Sequence, residues 1–507
     1  MPRRALLPLR FSALPVRGLS LLALPFLPAV AADAPSRLAD AVERQETAAI
    51  SRLLAEPAAA GPQADGTTAL HWAARHDDRE TGRALLAAGA EANAVNRYGM
   101  TPLALAATNG SGAFVELLLA AGADPERAQP GGETPLLTAA RAGRLEAVQA
   151  LLARRARVDA VIEASGQTAL HWAAHEGHAP VVAALLTAGA DACQAVAASG
   201  MTPIHFAART GRVSVVRLLL DAGVDINAAT QPPRNPVRKQ PRAGTSALLL
   251  AIENGHFALA AELLDRGANP NDLRSGYAPL HVLTWVRKPD SGEDDGQPVP
   301  DGSGLFPSEE LIRRLVAKGA DVNLRLTGGP SGGGRINRKG CTPFLLAADT
   351  ADTPYLRLLH ALGADPTLTN VDRCTPLMAA AGLGTRSVEE EAGTEDEAVE
   401  ALEYLLGLGA DLNAVTETGD TAMHGAAFAN FPKVVRLLHA RGAKLEVWNR
   451  PNRRGWTPLL VAEGHRFGNF KPGFSTIAAF HEVLRAHGLE PPPPTPRVEV
   501  LGYEDPG

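Results

Sequence analysis

A phrase returns along this chain at a nearly constant interval: TALHWAA at 68–74, TPLALAA at 101–107, TPLLTAA at 134–140 and TALHWAA again at 168–174, a period of about thirty-three residues. Thr68, Thr101, Thr134, Thr168 and Thr202 open the phrase. A second phrase, GADVN or a close variant, closes most units at Gly89, Gly122, Gly189, Gly223 and Gly267. A unit this short cannot bury its own apolar face, so self-similarity at fixed period means units stacked on one another, not a pocketed globule.

The letters of one unit predict its conformation. Threonine followed by proline and an apolar run starts a helix, because the hydroxyl accepts a first-turn N–H and proline suits the first helical position. A turn glycine, as in EGH at 176–178, leads to a second apolar run. Gly89, Gly122, Gly223, Gly319 and Gly409 then stop that helix in a left-handed cap, which costs little without a Cβ. The chain extends through a finger to the next threonine.

These residues resemble the ankyrin repeat, which matches in both its TPLHxA phrase and its unit length, over residues 38–489. The resemblance implies an all-α solenoid of helix-turn-helix units with β-hairpin-like fingers, and a role chiefly in binding other proteins. About eleven units are expected at 65–489, beginning near Asp65, Tyr98, Gly131, Ser165, Ser199, Ala243, Ser275, Lys339, Asp372, Thr418 and Arg454, behind a helical capping half-unit at 36–64. Three departures predict local weakness: Ala278 replaces the capping threonine, Arg373 takes a finger-glycine place, and Arg155 stands where a C-cap glycine belongs.

Ahead of the repeats, Arg3, Arg4, Arg10 and Arg17 precede an apolar stretch from Leu19 to Val30 and the small residues Ala29, Ala31 and Ala32. This reads as a secretory signal peptide over 1–32, with a mitochondrial presequence as the alternative. The expected compartment is outside the cytoplasm, the periplasm first and full secretion second. No other stretch is long enough to span a bilayer. The tail, 490–507, is proline-rich and expected to be extended. Three cysteines are too few for a disulfide framework, and Cys341 and Cys374, one repeat apart, are expected to stay unbridged.

Net charge is −6, so no global field favours nucleic acid or an anionic membrane. The insertions distribute charge unevenly. Segments 230–243 and 325–339 lengthen two fingers and carry only basic charges, among them Arg234, Arg238, Lys239 and Arg242, and 449–454 adds Arg450, Arg453 and Arg454. Segments 288–308 and 383–397 fall between the helices of a unit and are acidic. The simple reading is loops and solubility; the functional one is docking by charge complementarity. Thr394 and Glu397 also have capping-box spacing, so part of the acid starts a helix.

No enzyme signature emerges, and no cofactor or metal is expected. His171, His175 and His178 have metal-site spacing on paper, but His171 is the repeat histidine seen again as His71, His205, His281 and His424, and the helix must turn at Gly177. The glycine-rich 327–335 lacks the GK[ST] ending of a phosphate loop, and the acidic 290–296 lacks the ligand alternation of a calcium loop. Trp72 and Trp172 are expected to pack between neighbouring helices. Trp448, Trp456, Phe428, Phe431, Phe467 and Phe470 make the last units aromatic, as an end cap or a binding hot spot.

What remains for function is the inner face of finger tips and first-helix ends, where aromatic, methionine, arginine and amide side chains mix. The candidate partner-binding residues there are Arg75, His76, Arg97, Tyr98, Met100, Asn109, Arg141, His175, Glu176, Met201, Arg209, Asn254, Tyr277 and Trp285, with Arg234, Arg238, Lys239 and Arg242 on the long finger. The expectation is a monomeric, non-catalytic scaffold holding a protein partner, with no nucleic acid and no membrane insertion. The alternatives are a secreted effector engaging host proteins and a metal-binding or hydrolytic protein using the acidic insertions.

Overall fold

The computed structural model describes residues 36–232, 241–289, 306–327, 336–385, 388, 392–466 and 471–494. Helices alternate between two rows. The inner row runs Ala69–His76, Pro102–Asn109, Pro135–Arg141, Ala169–Glu176, Pro203–Arg209, Ala247–Glu253, Pro279–Arg287, Pro343–Asp349, Pro376–Ala380, Ala422–Ala429 and Pro458–Ala462. Each packs on the inner helix before and after it. The outer row runs Arg79–Ala87, Gly112–Ala120, Leu145–Ala153, Ala179–Thr187, Val213–Asp221, Phe257–Asp265, Ser308–Ala317, Thr353–Ala361, Glu395–Gly407, Pro432–Ala440 and Phe474–Ala486. Arg37–Glu43 and Thr47–Leu53 precede both rows, and Arg37–Glu43 packs on Ala69–His76.

The inner helices come close because one register holds alanine. Ala73, Ala106, Ala139, Ala173 and Ala207 are fully buried, while Leu70, Leu103, Leu136, Leu170 and Ile204 fill the space between the two rows. Each such leucine contributes about 1.5–3 kcal/mol by leaving water, so the apolar core runs from unit to unit. The outer row is as tight at Gly82, where an added Cβ would stand 2.6 Å from the Phe114 ring.

The starts of the inner helices show why threonine recurs. Thr101, Thr134, Thr342, Thr375 and Thr457 accept a first-turn N–H, with proline at N1. Where histidine is the third helical residue it completes a capping box: the N–H groups of Thr68, Thr168, Thr202 and Thr421 donate to Nδ1 of His71, His171, His205 and His424 at 3.1–3.2 Å. Nδ1 is therefore bare, and Nε2 donates to a carbonyl of the following finger, Met100, Gln194, Ala228 or Trp456. One histidine thus seals its own helix start and ties its unit to the next. Burial drives His171 and His205 down to about 4 and lowers His71 and His424 too.

The fingers are held by side chains more than by sheet, with one isolated bridge, Ala229 to Ser246, among the described residues. Asn93 donates to the Gly122 carbonyl at 2.9 Å and accepts from Asp124 N–H at 2.8 Å. Asn271 and Asn323 repeat this against Gly319 and Asp321, and against Gly363 and Asp365. The asparagine of the closing phrase is therefore a unit-to-unit link. Finger tips also join through backbone bonds, such as Arg97 N–H to the Asp65 carbonyl and Val371 N–H to the Lys339 carbonyl.

The three irregular positions appear as strain or loss. Arg155 and Arg373 adopt φ of 61° and 62° where neighbouring units use glycine. Ala278 keeps the N-cap backbone but offers no cap, and the buried Nδ1 of His281 is left without a partner. At the far end Trp448 is buried and tilted against Phe480 at 5.9 Å, so this aromatic pair serves packing beneath the last helix. Phe467 and Phe470 lie outside the described residues. Cys193, Cys341 and Cys374 are all free thiols, the last two buried.

Candidate partner-binding face

The last turns of the inner helices and the finger tips carry the predicted residues, but in unequal states. Arg75, Arg97 and Arg209 are exposed, and Tyr98 is the most open of the nominated aromatics at 57%. The Arg75 guanidinium lies over Trp72 at 5.6 Å, and Arg97 over Tyr98 at 4.9 Å. His76 is half-buried, stacked on Trp72, with Nε2 3.2 Å from the Glu43 carbonyl. Arg141 lies over Trp172 at 5.5 Å and pairs with Glu133 at 3.0 Å. Half-buried His175 meets Trp172 and Phe206 edge-on, and its Nδ1 and the Trp172 Nε1 have no partner. Glu176 and Met100 are half-buried.

Two nominations need correction, Met201 and Tyr277, while Asn109 and Asn254 are exposed and also bond to helix carbonyls. Met201 and Tyr277 are buried, at 1% and 4% exposure, and Tyr277 is covered by Arg242 and Arg338 from the fingers on both sides. Asn109 donates its amide to the Ala74 carbonyl at 3.0 Å and to that of Arg75, so it serves the preceding helix. Asn254 donates to the Leu250 carbonyl of its own helix. Arg234, Arg238 and Lys239 lie outside the described residues, as do 290–296 and 328–335.

Tyr277 nevertheless organises a site. Its ring meets half-buried Trp285 edge-on at 4.9 Å. Arg242, from the finger before, places its guanidinium 4.8 Å from the centre of the Tyr277 ring. Arg338, from the finger after, donates Nη1 to the Tyr277 hydroxyl at 3.0 Å and lies 5.8 Å from the Trp285 ring. Arg338 was not among the nominated residues, although a signal existed. Arg242 and Arg338 hold one register position in the two lengthened fingers: the Arg242 carbonyl accepts from Thr245 N–H as the Arg338 carbonyl accepts from Cys341 N–H, beside Gly244 and Gly340. Glu253 ends the neighbouring inner helix, where loss of surrounding water raises its carboxyl to about 7 against the opposing pull of Arg242 and Arg209.

The acidic insertion at 383–397 is partly structural. Thr394 and Glu397 close a capping box on Glu395–Gly407. Glu397 pairs with Lys288, and Asp396 with Lys433 at 2.6 Å. Nor do the three suspected histidines converge: His171 is committed at both nitrogens, His178 Nε2 is 3.0 Å from the Arg141 carbonyl, and Gly177 ends the helix at φ 88°. Among the described residues no group of three histidine, cysteine or carboxylate side chains is placed to hold a metal.

Paired helices, fingers and capping histidines together define a stacked helical-repeat protein. A family model of ankyrin repeats in three copies matches residues 38–129, 114–196 and 136–230, a many-copy model matches 394–439, and a single-repeat model matches 243–274. Together these span more than half of the chain, and it belongs to the ankyrin-repeat family. It is similar to the human SH3 and multiple ankyrin repeat domains protein 2, 31% identical over 233 residues, which is 41% of this chain and 11% of that protein. The chain therefore spans about a ninth of that relative's length. Among solved structures, the human ASB11 ankyrin repeat domain aligns with 53% of this chain and all of its own, at 22% identity and a TM-score of 0.40.

Proposed function

We propose that this chain is an exported, non-catalytic scaffold that holds a partner protein on the face formed by its finger tips and inner-helix ends. The observation that carries the reading is the row of arginines resting on aromatic rings along that face, at Trp72, Tyr98, Trp172 and Tyr277. Arginine and large aromatics are the residue types that dominate protein contacts, and a stacked array orders them before a partner arrives. The arginine-bearing apolar start, residues 1–32, supports export, with the periplasm as destination. Among the described residues no helix is long and apolar enough to cross a membrane. Crosslinking in intact cells, followed by partner identification and fractionation, tests both parts. One reproducible partner, lost on joint replacement of Arg75, Arg97 and Arg141 by glutamine, is the expected result. Capture that is indifferent to these residues overturns the assigned face, and a cytoplasmic mature chain overturns export.

A further inference from the structure

Several arginines of this array are neutralised by a carboxylate. Arg141 pairs with Glu133, Arg217 with Glu262, Arg274 with Asp272 and Arg287 with Asp352. Others are not, among them Arg144, Arg212 and Arg325, which donate to carbonyls of a neighbouring unit, and Arg242 and Arg338, which rest on rings. Among the described residues neither forms a salt bridge, yet both are held in place: one lies over the Tyr277 ring, and the other is hydrogen-bonded to the Tyr277 hydroxyl and set against Trp285. Arg242 is exposed and Arg338 half-buried. They come from the fingers on either side of the Tyr277 unit, and their guanidinium groups lie 4.8 and 5.9 Å from the centre of the Tyr277 ring. A guanidinium stacked on a ring keeps its in-plane N–H donors free, and those donors match a carboxylate in pairs. Both fingers have a basic surplus in sequence, 230–243 and 325–339 carrying no acid in a chain whose net charge is −6.

We propose that Arg242 and Arg338, set against Tyr277 and Trp285, form a carboxylate clamp for an acidic, extended segment of a partner protein. This rests on the scaffold reading and assigns that partner its chemistry. Planar guanidinium forks held against rings match carboxylates in pairs along an extended peptide, and a single-stranded oligonucleotide is the competing ligand in the test.

The test uses the full mature chain and a fluorescent peptide of alternating glutamate and glycine, titrated by anisotropy at low and physiological salt, against its glutamine counterpart. Arg242→Gln and Arg338→Gln each weaken the acidic peptide by roughly tenfold, the loss of one charge-assisted contact. The glutamine peptide does not bind, and exposed Arg83→Gln on the outer row changes nothing. Because both arginines pack on Tyr277, Arg338→Lys is the folding control: it keeps the charge, loses the fork, and falls between wild type and Arg338→Gln. Equal weakening by Arg83→Gln means a diffuse field and overturns the clamp, as does tighter binding of a single-stranded oligonucleotide through the same two arginines. Cellular capture that persists in the Arg242→Gln, Arg338→Gln double variant also removes the clamp while leaving the scaffold; loss of capture only in the Arg75, Arg97 and Arg141 variant does the same.

Discussion

Ala278→Thr should strengthen the array at a single point. In the four comparable units the N-cap threonine hydroxyl lies 2.8–3.1 Å from the histidine Nδ1. At Ala278 the backbone already has the required shape, φ −100° and ψ 164° against −102° and 174° at Thr168. What is missing is the hydroxyl, and the cost appears as the unpartnered, fully buried Nδ1 of His281. An N-cap hydroxyl contributes about 1 kcal/mol. Giving a partner to one buried acceptor contributes about 0.5–1.5 kcal/mol more. Part of that is offset by fitting the added methyl beside Ala278, which is 2% exposed, so the net gain should be about 1–2 kcal/mol.

A stacked array does not unfold as one unit, so a single global midpoint would dilute the effect. Hydrogen exchange resolved by peptide is the better measurement. Amides of Pro279–Arg287 should exchange roughly five- to thirtyfold more slowly in Ala278→Thr, while those of Ala69–His76 stay unchanged. Thr168→Ala should do the reverse at Ala169–Glu176. If neither substitution moves its own helix, or if the two move both helices together, the threonine–histidine box is not the local fastener argued here.

Arg155→Gly and Arg373→Gly should each stabilise by about 1 kcal/mol, because both positions require positive φ; peptide-resolved hydrogen exchange of the flanking helices checks this, and faster exchange refutes it. Asp352→Ala should cost about 3–5 kcal/mol, since it strands the half-sequestered Arg287 and removes the cap accepting from Tyr355 N–H; Arg287→Met should cost less, and the ordering is read from the same exchange measurement. Acid should loosen the array. Burial holds His171, His205 and His281 near 4, below the ordinary value of about 6.5, so the unfolded chain takes up protons first as pH falls. Stability should be full above about pH 6.5 and decline toward pH 4, by up to about 1.4 kcal/mol per pH unit per histidine. A urea midpoint flat between pH 7 and 5 would contradict that.

Helix starts and stops were legible in the chain because each is set within a few residues: a threonine, a proline and a glycine at fixed offsets decide one cap each. The strained arginines at 155 and 373 and the missing cap at 278 were legible for the same reason, as breaks in a local rule. What the letters concealed was side-chain direction. Met201 and Tyr277 stand one residue before the capping position and read as finger-tip surface, yet both are buried, Tyr277 between arginines of the fingers before and after it. Asn109 reads as a free amide because the carbonyls it serves, Ala74 and Arg75, belong to another repeat.

The candidate clamp illustrates the limit and how to move it. Arg242 and Arg338 are ninety-six positions apart, with insertions of unequal length between them, and no fixed offset relates them. Counting from the glycine that ends each finger relates them at once, since each arginine stands two residues before Gly244 or Gly340. Register measured from conformational landmarks survives insertion; register measured along the chain does not. In a stacked array that landmark register also fixes depth on the binding face, because shared asparagines tie the units around Tyr277, Asn227 to Asn269 and Asn271 to Asp321. Two equivalent residues flanking one unit must therefore face the same partner surface, whatever chain length the intervening loops add.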